Sequence, residues 1–311
     1  MKVVFLGTPD FAVAALENII KSRHEVVAVV TQPDRPKGRS GKPIFSPVKE
    51  VAVKHGINVL QYEKIRSEGV DELRLLGADI FVTCAYGQIL SQEIIDIPRH
   101  GIINIHASLL PKYRGAAPIQ WAVLNGDEYT GVTIMKTEAG VDTGAILLQK
   151  STKIGENETA GELFDWLSVL GAELIVDALN VIEEGNAVYV EQDHEKATHV
   201  KMLRKEDGLI SWDKTPKELF DFVRGMNPWP SAYTYYCGKV LKIWAVETLQ
   251  CECGVECGTI LTSDIKNGVT VACKGGAVRI TELQIEGAKR MSAQAFLLGR
   301  SFEVGGKLEN A

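Results

Sequence analysis

No stretch of this 311-residue chain approaches the roughly 18 consecutive apolar residues of a membrane-spanning helix, so insertion into a membrane is not expected. The opening MKVVFLGTPDF holds an apolar run too short, and broken too soon by Gly7 and Pro9, for a secretory signal. Cysteine is scarce. Six residues scattered along the chain make no disulfide scaffold, and the expected compartment is a reducing cytoplasm. Neither an internal repeat nor a low-complexity tract is visible.

What is there has the make-up of a globular protein, with 45% hydrophobic and 24% charged residues in a length that suits two ordinary domains or one large one. The formal charge of −6 argues against a general nucleic-acid binder. Local balance differs. Between Asp34 and Lys49 stand five basic residues (Arg35, Lys37, Arg39, Lys42 and Lys49) against the single acid Asp34. Between Lys196 and Lys205 stand four (Lys196, Lys201, Arg204 and Lys205) and no acid. Two such segments could meet a polyanion locally, although charge runs by default are solvated loops without a partner.

The first half alternates strand and helix signals. The apolar runs VVFLG, VVAVVT, NVLQ, DIFVTCAYG and GIINIH are separated by helical patterns, one of which puts Phe11, Ala15 and Ile19 on one face. Continuous rather than alternating apolar strands point to a parallel sheet covered on both faces. Ser46 and Pro47 open a helix that Gly56 follows. Thr159 with Glu162 forms a capping box for a long helix that ends at Gly185. After about Val190 a charged connector reaches to about Lys205. Beyond it SAYTYY-CG-KVLKIWAV, TSDIK-NG-VTVAC and ACK-GG-AVRITEL read as short antiparallel strands with Gly-containing turns. An OB-type barrel is one fold of suitable size.

Three motifs deserve chemistry. GTPDF follows the first strand, but it lacks the spacing of a dinucleotide-binding fingerprint and contains Pro9, so it reads as a tight strand-to-helix turn. Cys251, Cys253 and Cys257 have no paired Cys/His doublet, and only Cys273 could close a fourth position, so free thiols are preferred to a metal site. In GIINIH, Ile103 and Ile105 fall on one face while Asn104 and His106 fall on the other. A buried strand tolerates an amide and an imidazole only if both are hydrogen-bonded, since leaving either unpaired costs about 1–3 kcal/mol. Both stand at the carboxyl end of a parallel strand, where open α/β sheets hold ligands. Asp142 in EAGVDTG, bracketed by Gly140 and Gly144, completes a possible set of base, orienting group and donor. A structural polar network is the competing reading.

The run N-I-H-x-S-L-L-P-x-Y-R-G-A-A-P followed by G-x-D-T-G resembles the folate-dependent formyltransferases, as do GTPDFA, TQPDRPKGR and SWD with NPWPSA elsewhere. The likeness covers nearly the full length. Ala107 stands where a glycine is common, and the Cys251–Cys257 loop is peculiar to this chain.

That resemblance implies a Rossmann-like formyltransferase domain over residues 1–189, a linker over 190–205, and an OB-like, tRNA-binding domain over 206–311. It implies a monomer that moves a formyl group from 10-formyltetrahydrofolate to the α-amino group of methionine on initiator tRNA, without a metal. Asn104 and the ring N–H of His106 would stabilise charge on the formyl oxygen, with Asp142 orienting His106 and helping to take the amine proton. Ser108, Leu109, Leu110 and Pro111, with Gln88, Ile89 and Leu90, would hold the folate. Arg35, Lys37, Arg39, Lys42 and Lys205 would contact tRNA. An amino-sugar nucleotide is the alternative acceptor; a non-catalytic RNA-binding protein and a dehydrogenase are the more distant readings.

Overall fold

The computed structural model describes residues 1–36 and 43–309, so the expected tRNA contacts Lys37, Arg39 and Lys42 lie outside the described residues. The chain forms two compact units. The first comprises Met1–Pro118, Thr130–Thr152 and Phe164–Val200, and the second comprises Ile119–Tyr129, Lys153–Leu163 and Lys201–Ala311.

A seven-stranded sheet organises the first unit. From edge to edge it runs Ile146–Lys153, Tyr129–Lys136, Ile102–His106, Ile80–Cys84, Lys2–Gly7, Glu25–Thr31 and Val59–Gln61. The last five of these strands are mutually parallel. Burial on both faces explains their unbroken apolar sequences: Val3 to Leu6, Ala28 to Val30 and Ile80 to Val82 have no exposed surface. Tyr129–Lys136 is not among the apolar runs that read as strands and lies outside the parallel set. It runs antiparallel to Ile102–His106, setting Asn104 opposite Met135 and His106 opposite Thr133.

Lys2–Gly7 lies mid-sheet, with later strands first added on one side of it and then on the other. Ligand crevices of open α/β sheets form at the carboxyl ends beside such a reversal. Here the loops are knitted together. Thr8 Oγ1 and Gln32 Nε2 both donate to the Tyr86 carbonyl, each at 3.1 Å. GTPDF is the tight turn its sequence implies, because a Cβ on Gly7 would meet Phe5 Cε1 at 2.7 Å and Ala12 Cβ at 2.9 Å.

The helix signals hold as well. Ser46 accepts from Lys49 N at 3.1 Å to cap the helix Pro47–Lys54. Thr159 and Glu162 exchange hydrogen bonds at the start of Ala160–Glu183, donating from Thr159 N at 2.9 Å and from Glu162 N at 3.2 Å. Further along that helix, Gly171 lets it press onto the Asn104 strand, since a Cβ there would sit 3.0 Å from Ile105 Cγ2. Burying Ile103 and Ile105 stabilises the strand by about 1.5–3 kcal/mol each, which fixes the face that Asn104 and His106 occupy.

The stretch read as a connector is stitched into the first unit up to Val200. Val190 bridges Ile146, and His199–Val200 pairs in parallel with Arg114–Gly115. Thr198 N donates to Pro111 O at 3.2 Å, and Arg114 N donates to Thr198 O at 2.8 Å.

The second unit carries an antiparallel sheet in the order Ala232–Tyr236, Lys239–Leu249, Gly276–Ile285, Gly268–Cys273 and Ile260–Asp264, with Met291–Ser292 added alongside Gly276–Ile285. The expected hairpin at Cys237–Gly238 forms with φ of +49° and +72°, a pair suited to a tight primed turn. The outermost two strands do not pair with each other among the described residues, so the sheet stays open where a barrel would close. No helix among the described residues is long and apolar enough to cross a membrane.

Candidate active site

Asn104 is half-buried, and its amide is anchored at one end. Thr83, its register partner on the neighbouring parallel strand, donates from Oγ1 to Asn104 Oδ1 at 2.8 Å. Nδ2 makes no hydrogen bond among the described residues, so two N–H donors are available to an outside acceptor. That is the disposition an oxyanion donor requires.

His106 is 6% exposed, and both of its ring nitrogens face acceptors. Nε2 lies 3.0 Å from the Tyr113 carbonyl, which only accepts, so the ring donates there in the tautomer that protonates Nε2. Nδ1 lies 3.6 Å from Asp142 Oδ2. The sequence reading aimed a ring N–H at the formyl oxygen. The structure instead turns Nε2 toward Tyr113 O and Nδ1 toward the carboxylate. The cause is the loop after Pro111, which folds back and presents a backbone carbonyl to the ring. Asp142 Oδ2 also accepts from Gly115 N at 2.8 Å, which fixes the carboxylate. Asp142 has φ of +51°, a left-handed conformation that an L-residue adopts only at a cost. Gly144 serves close packing against the protein's own chain, since a Cβ there would fall 2.0 Å from Lys136 O.

The SLLP segment is held by its own polar groups. Ser108 Oγ donates to Lys112 O at 2.6 Å and is fully buried, so the hydroxyl closes the loop. Leu110 N donates to Thr133 Oγ1 at 3.2 Å, and Gln149 Nε2 donates to Leu110 O at 2.8 Å. Leu109 and Pro111 stay half-buried. In the other expected folate segment, Gln88 Nε2 donates to Tyr62 O at 2.9 Å and its Oε1 accepts from Ile65 N at the same distance. Its amide therefore orders a loop. Ile89 is 80% exposed and Leu90 half-buried, leaving apolar surface at this rim.

Comparison with known proteins shows the family. A family model described as formyl transferase matches residues 1–179, and one for the formyl transferase C-terminal domain matches residues 202–301. The methionyl-tRNA formyltransferase of Lachnospira eligens is 51% identical over 312 residues, covering 98% of each chain. That of Agathobacter rectalis is 50% identical over 306 residues, again covering 98% of each. The chain belongs to the methionyl-tRNA formyltransferase family. A solved N-formyltransferase from Helicobacter canadensis, in complex with folinic acid and dTDP-3-aminofucose, matches with a TM-score of 0.68. At 19% identity, covering 94% of this chain and all of that one, the likeness is one of fold.

Among the basic positions of this formyltransferase, Arg35 is exposed and paired to Glu63 at 2.6 Å. Lys49 is engaged locally, donating to Asp34 Oδ2 at 2.6 Å and to Gln61 Oε1 at 2.8 Å. Lys196 pairs with Asp193 at 2.7 Å, and Lys201 with Asp207 at 3.0 Å. Lys205 is exposed and has no ion pair among the described residues. Cys251 Sγ and Cys253 Sγ lie 2.9 Å apart. Among the described residues no group of three or more His, Cys, Asp or Glu is arranged to hold a metal ion.

Sequence reasoning passed over Thr83, Thr133, Arg114 and Gln192. Thr83 had a usable signal, being a lone hydroxyl inside the apolar run IFVTC one strand before Asn104. Arg114 stood inside the family motif YRGAAP, but Gln192 had no signal, because their contact spans 78 residues of chain.

Proposed function

We propose that the protein transfers a formyl group from 10-formyltetrahydrofolate to the α-amino group of methionine esterified to initiator tRNA. What supports this reading is an unengaged Asn104 Nδ2 on the strand that also carries His106, whose Nδ1 faces Asp142, in a chain about half identical to methionyl-tRNA formyltransferases over nearly its full length. The amine nitrogen attacks the formyl carbon, and negative charge gathers on the formyl oxygen. Asn104 Nδ2 donates to that oxygen, a contribution of about 3–4 kcal/mol by the measured effect of removing one such donor elsewhere. An α-amino group titrates near about 7.7–8.0 in simple models, so much of it is neutral at working pH and a strong base is unnecessary. As the C–N bond forms, the amine proton passes to the Asp142–His106 pair, directly or through water. The tetrahedral intermediate then collapses, the bond to N10 of the folate breaks, and that nitrogen recovers a proton.

Leu109, Pro111, Ile89 and Leu90 offer the apolar surface a flat pterin ring needs, while Ser108, Leu110 and Gln88 keep their loops in shape. Arg35, with Lys37, Arg39 and Lys42, supplies cationic contacts to the acceptor end of the tRNA, and Lys205 supplies a simpler electrostatic contact to the tRNA. The protein works as a monomer in the cytoplasm, with no metal in the chemistry.

The acceptor is tested by offering charged initiator tRNA and a dTDP-amino sugar in parallel with 10-formyltetrahydrofolate. Formyl appears on methionine alone. Formylation of the sugar in preference to the tRNA would replace this reading with the sugar-nucleotide one.

A further inference from the structure

Gln192, in the stretch between the two matched family regions, is 4% exposed and uses its whole hydrogen-bonding capacity. Its Oε1 accepts twice from the Arg114 guanidinium, from Nε at 3.1 Å and from Nη2 at 2.7 Å. Its Nε2 donates to Asp142 O at 3.0 Å and to Gly144 O at 2.7 Å. The orientation of the amide is unambiguous, because a guanidinium only donates and the two carbonyls only accept.

The segment gripped in this way carries the strained backbone. Asp142 sits at φ +51°, and its side chain alone is held by Gly115 N, the residue after Arg114. Arg114–Gly115 therefore grips Asp142 twice: directly, by a backbone N–H to the carboxylate, and through Gln192, by the backbone of residues 142 and 144. Arg114 is itself 3% exposed, has no carboxylate within 4.0 Å among the described residues, and reaches His194 Nδ1 at 3.0 Å. A buried guanidinium facing an amide rather than a carboxylate serves as a fixed donor frame, since its planar fork sets the direction of both bonds. His199–Val200 pairs with Arg114–Gly115 and closes the frame from the other side.

We propose that Gln192 is a positioning residue for the formyl-transfer reaction. It clamps the Asp142–Gly144 backbone to Arg114 so that the Asp142 carboxylate stays directed at His106 Nδ1. The inference rests on the reading of Asp142 and His106 as the proton-accepting pair. A carboxylate misplaced by about 1 Å can cost a hundredfold in rate while leaving substrate contacts untouched.

The test is a double-mutant cycle on the full chain with folate and charged tRNA varied separately. Gln192→Met removes all four bonds at similar length. Gln192→Glu keeps an acceptor for Arg114 and removes the two donors to the loop, so it preserves a partner for the buried guanidinium if the methionine variant fails to fold. Either variant lowers kcat about tenfold or more while both KM values stay within about twofold. In an Asp142→Ala background the same substitution lowers kcat no further, because the group it positions is gone. A purely structural role would lower kcat by the same factor in both backgrounds. That equality, or a normal kcat for both single variants beside an active wild type, overturns the inference. An inactive wild type overturns the functional reading, and the inference falls with it.

Discussion

Thr83 Oγ1 donates to Asn104 Oδ1 at 2.8 Å across two neighbouring parallel strands, and this bond decides which end of the Asn104 amide faces outward. Without it the amide can turn over and present an oxygen, which would repel a developing oxyanion. Thr83→Val keeps the branched shape and removes the donor. It lowers kcat by about tenfold at nearly constant KM, the pattern of an interaction made only in the transition state. Thr83→Ser restores the hydroxyl and most of the rate. Steady-state kinetics with both substrates varied check this, and an unimpaired valine variant would release Thr83 from the account.

Activity survives exhaustive chelation. On the proposed reading Asn104 acts as a donor and the His106–Asp142 pair as a proton acceptor, and the close thiols Cys251 and Cys253 gather no third ligand arranged for a metal among the described residues. Assays before and after dialysis against a chelator decide it. Loss of turnover that zinc restores would overturn this view of the chemistry.

Two cationic positions separate positioning from simple attraction. On the proposed reading, Arg39→Ala strongly reduces formylation of charged tRNA and leaves folate binding unchanged, because a planar guanidinium fork can orient a bound group as well as attract it. Lys205→Ala weakens tRNA binding and flattens the dependence of log K on log salt by about one contact's worth. Binding curves over a salt series, with tRNA and folate varied in turn for each variant, measure both. Normal tRNA kinetics for Arg39→Ala would return that segment to a solvated loop.

The thiols differ in reactivity by burial. Cys273 is buried and its thiol is pushed up to about 12, first by burial and then by the neighbouring cysteines. Burial also raises Cys84 well above the ordinary thiol range. Near pH 8 neither presents an appreciable thiolate. Exposed Cys237 and Cys251 therefore take up an alkylating reagent while Cys84 and Cys273 stay unmodified until the chain unfolds. Mass spectrometry of digested native protein reads the order directly, and early labelling of Cys273 would contradict it.

How much of this was legible beforehand follows the reach of each interaction. The parallel strands, the turn at GTPDF, the caps at Ser46 and Thr159 and the hairpin at Cys237–Gly238 depend on neighbours in sequence, and all could be read from residue type and period. The face shared by Asn104 and His106 follows from strand alternation, and the His106–Asp142 approach agrees with the family motif. Other features depend on where a loop returns. The reversal of Tyr129–Lys136, the Tyr113 carbonyl at His106 Nε2 and the docking of residues 190–200 beside Arg114 are of that kind. A charged stretch such as EQDHEK gives no sign that one of its members, Gln192, is buried beneath the site. Hydrogen bonds between residues tens of positions apart leave no periodic trace.

The most direct test of the central claim is the single-turnover rate of formyl transfer with enzyme saturated by 10-formyltetrahydrofolate and charged initiator tRNA. The wild type transfers formyl to methionine, and Asn104→Ala, His106→Ala and Asp142→Ala each slow that step by at least about a hundredfold while remaining folded and binding tRNA. A full wild-type rate in any folded one of the three would contradict its assigned part in the site.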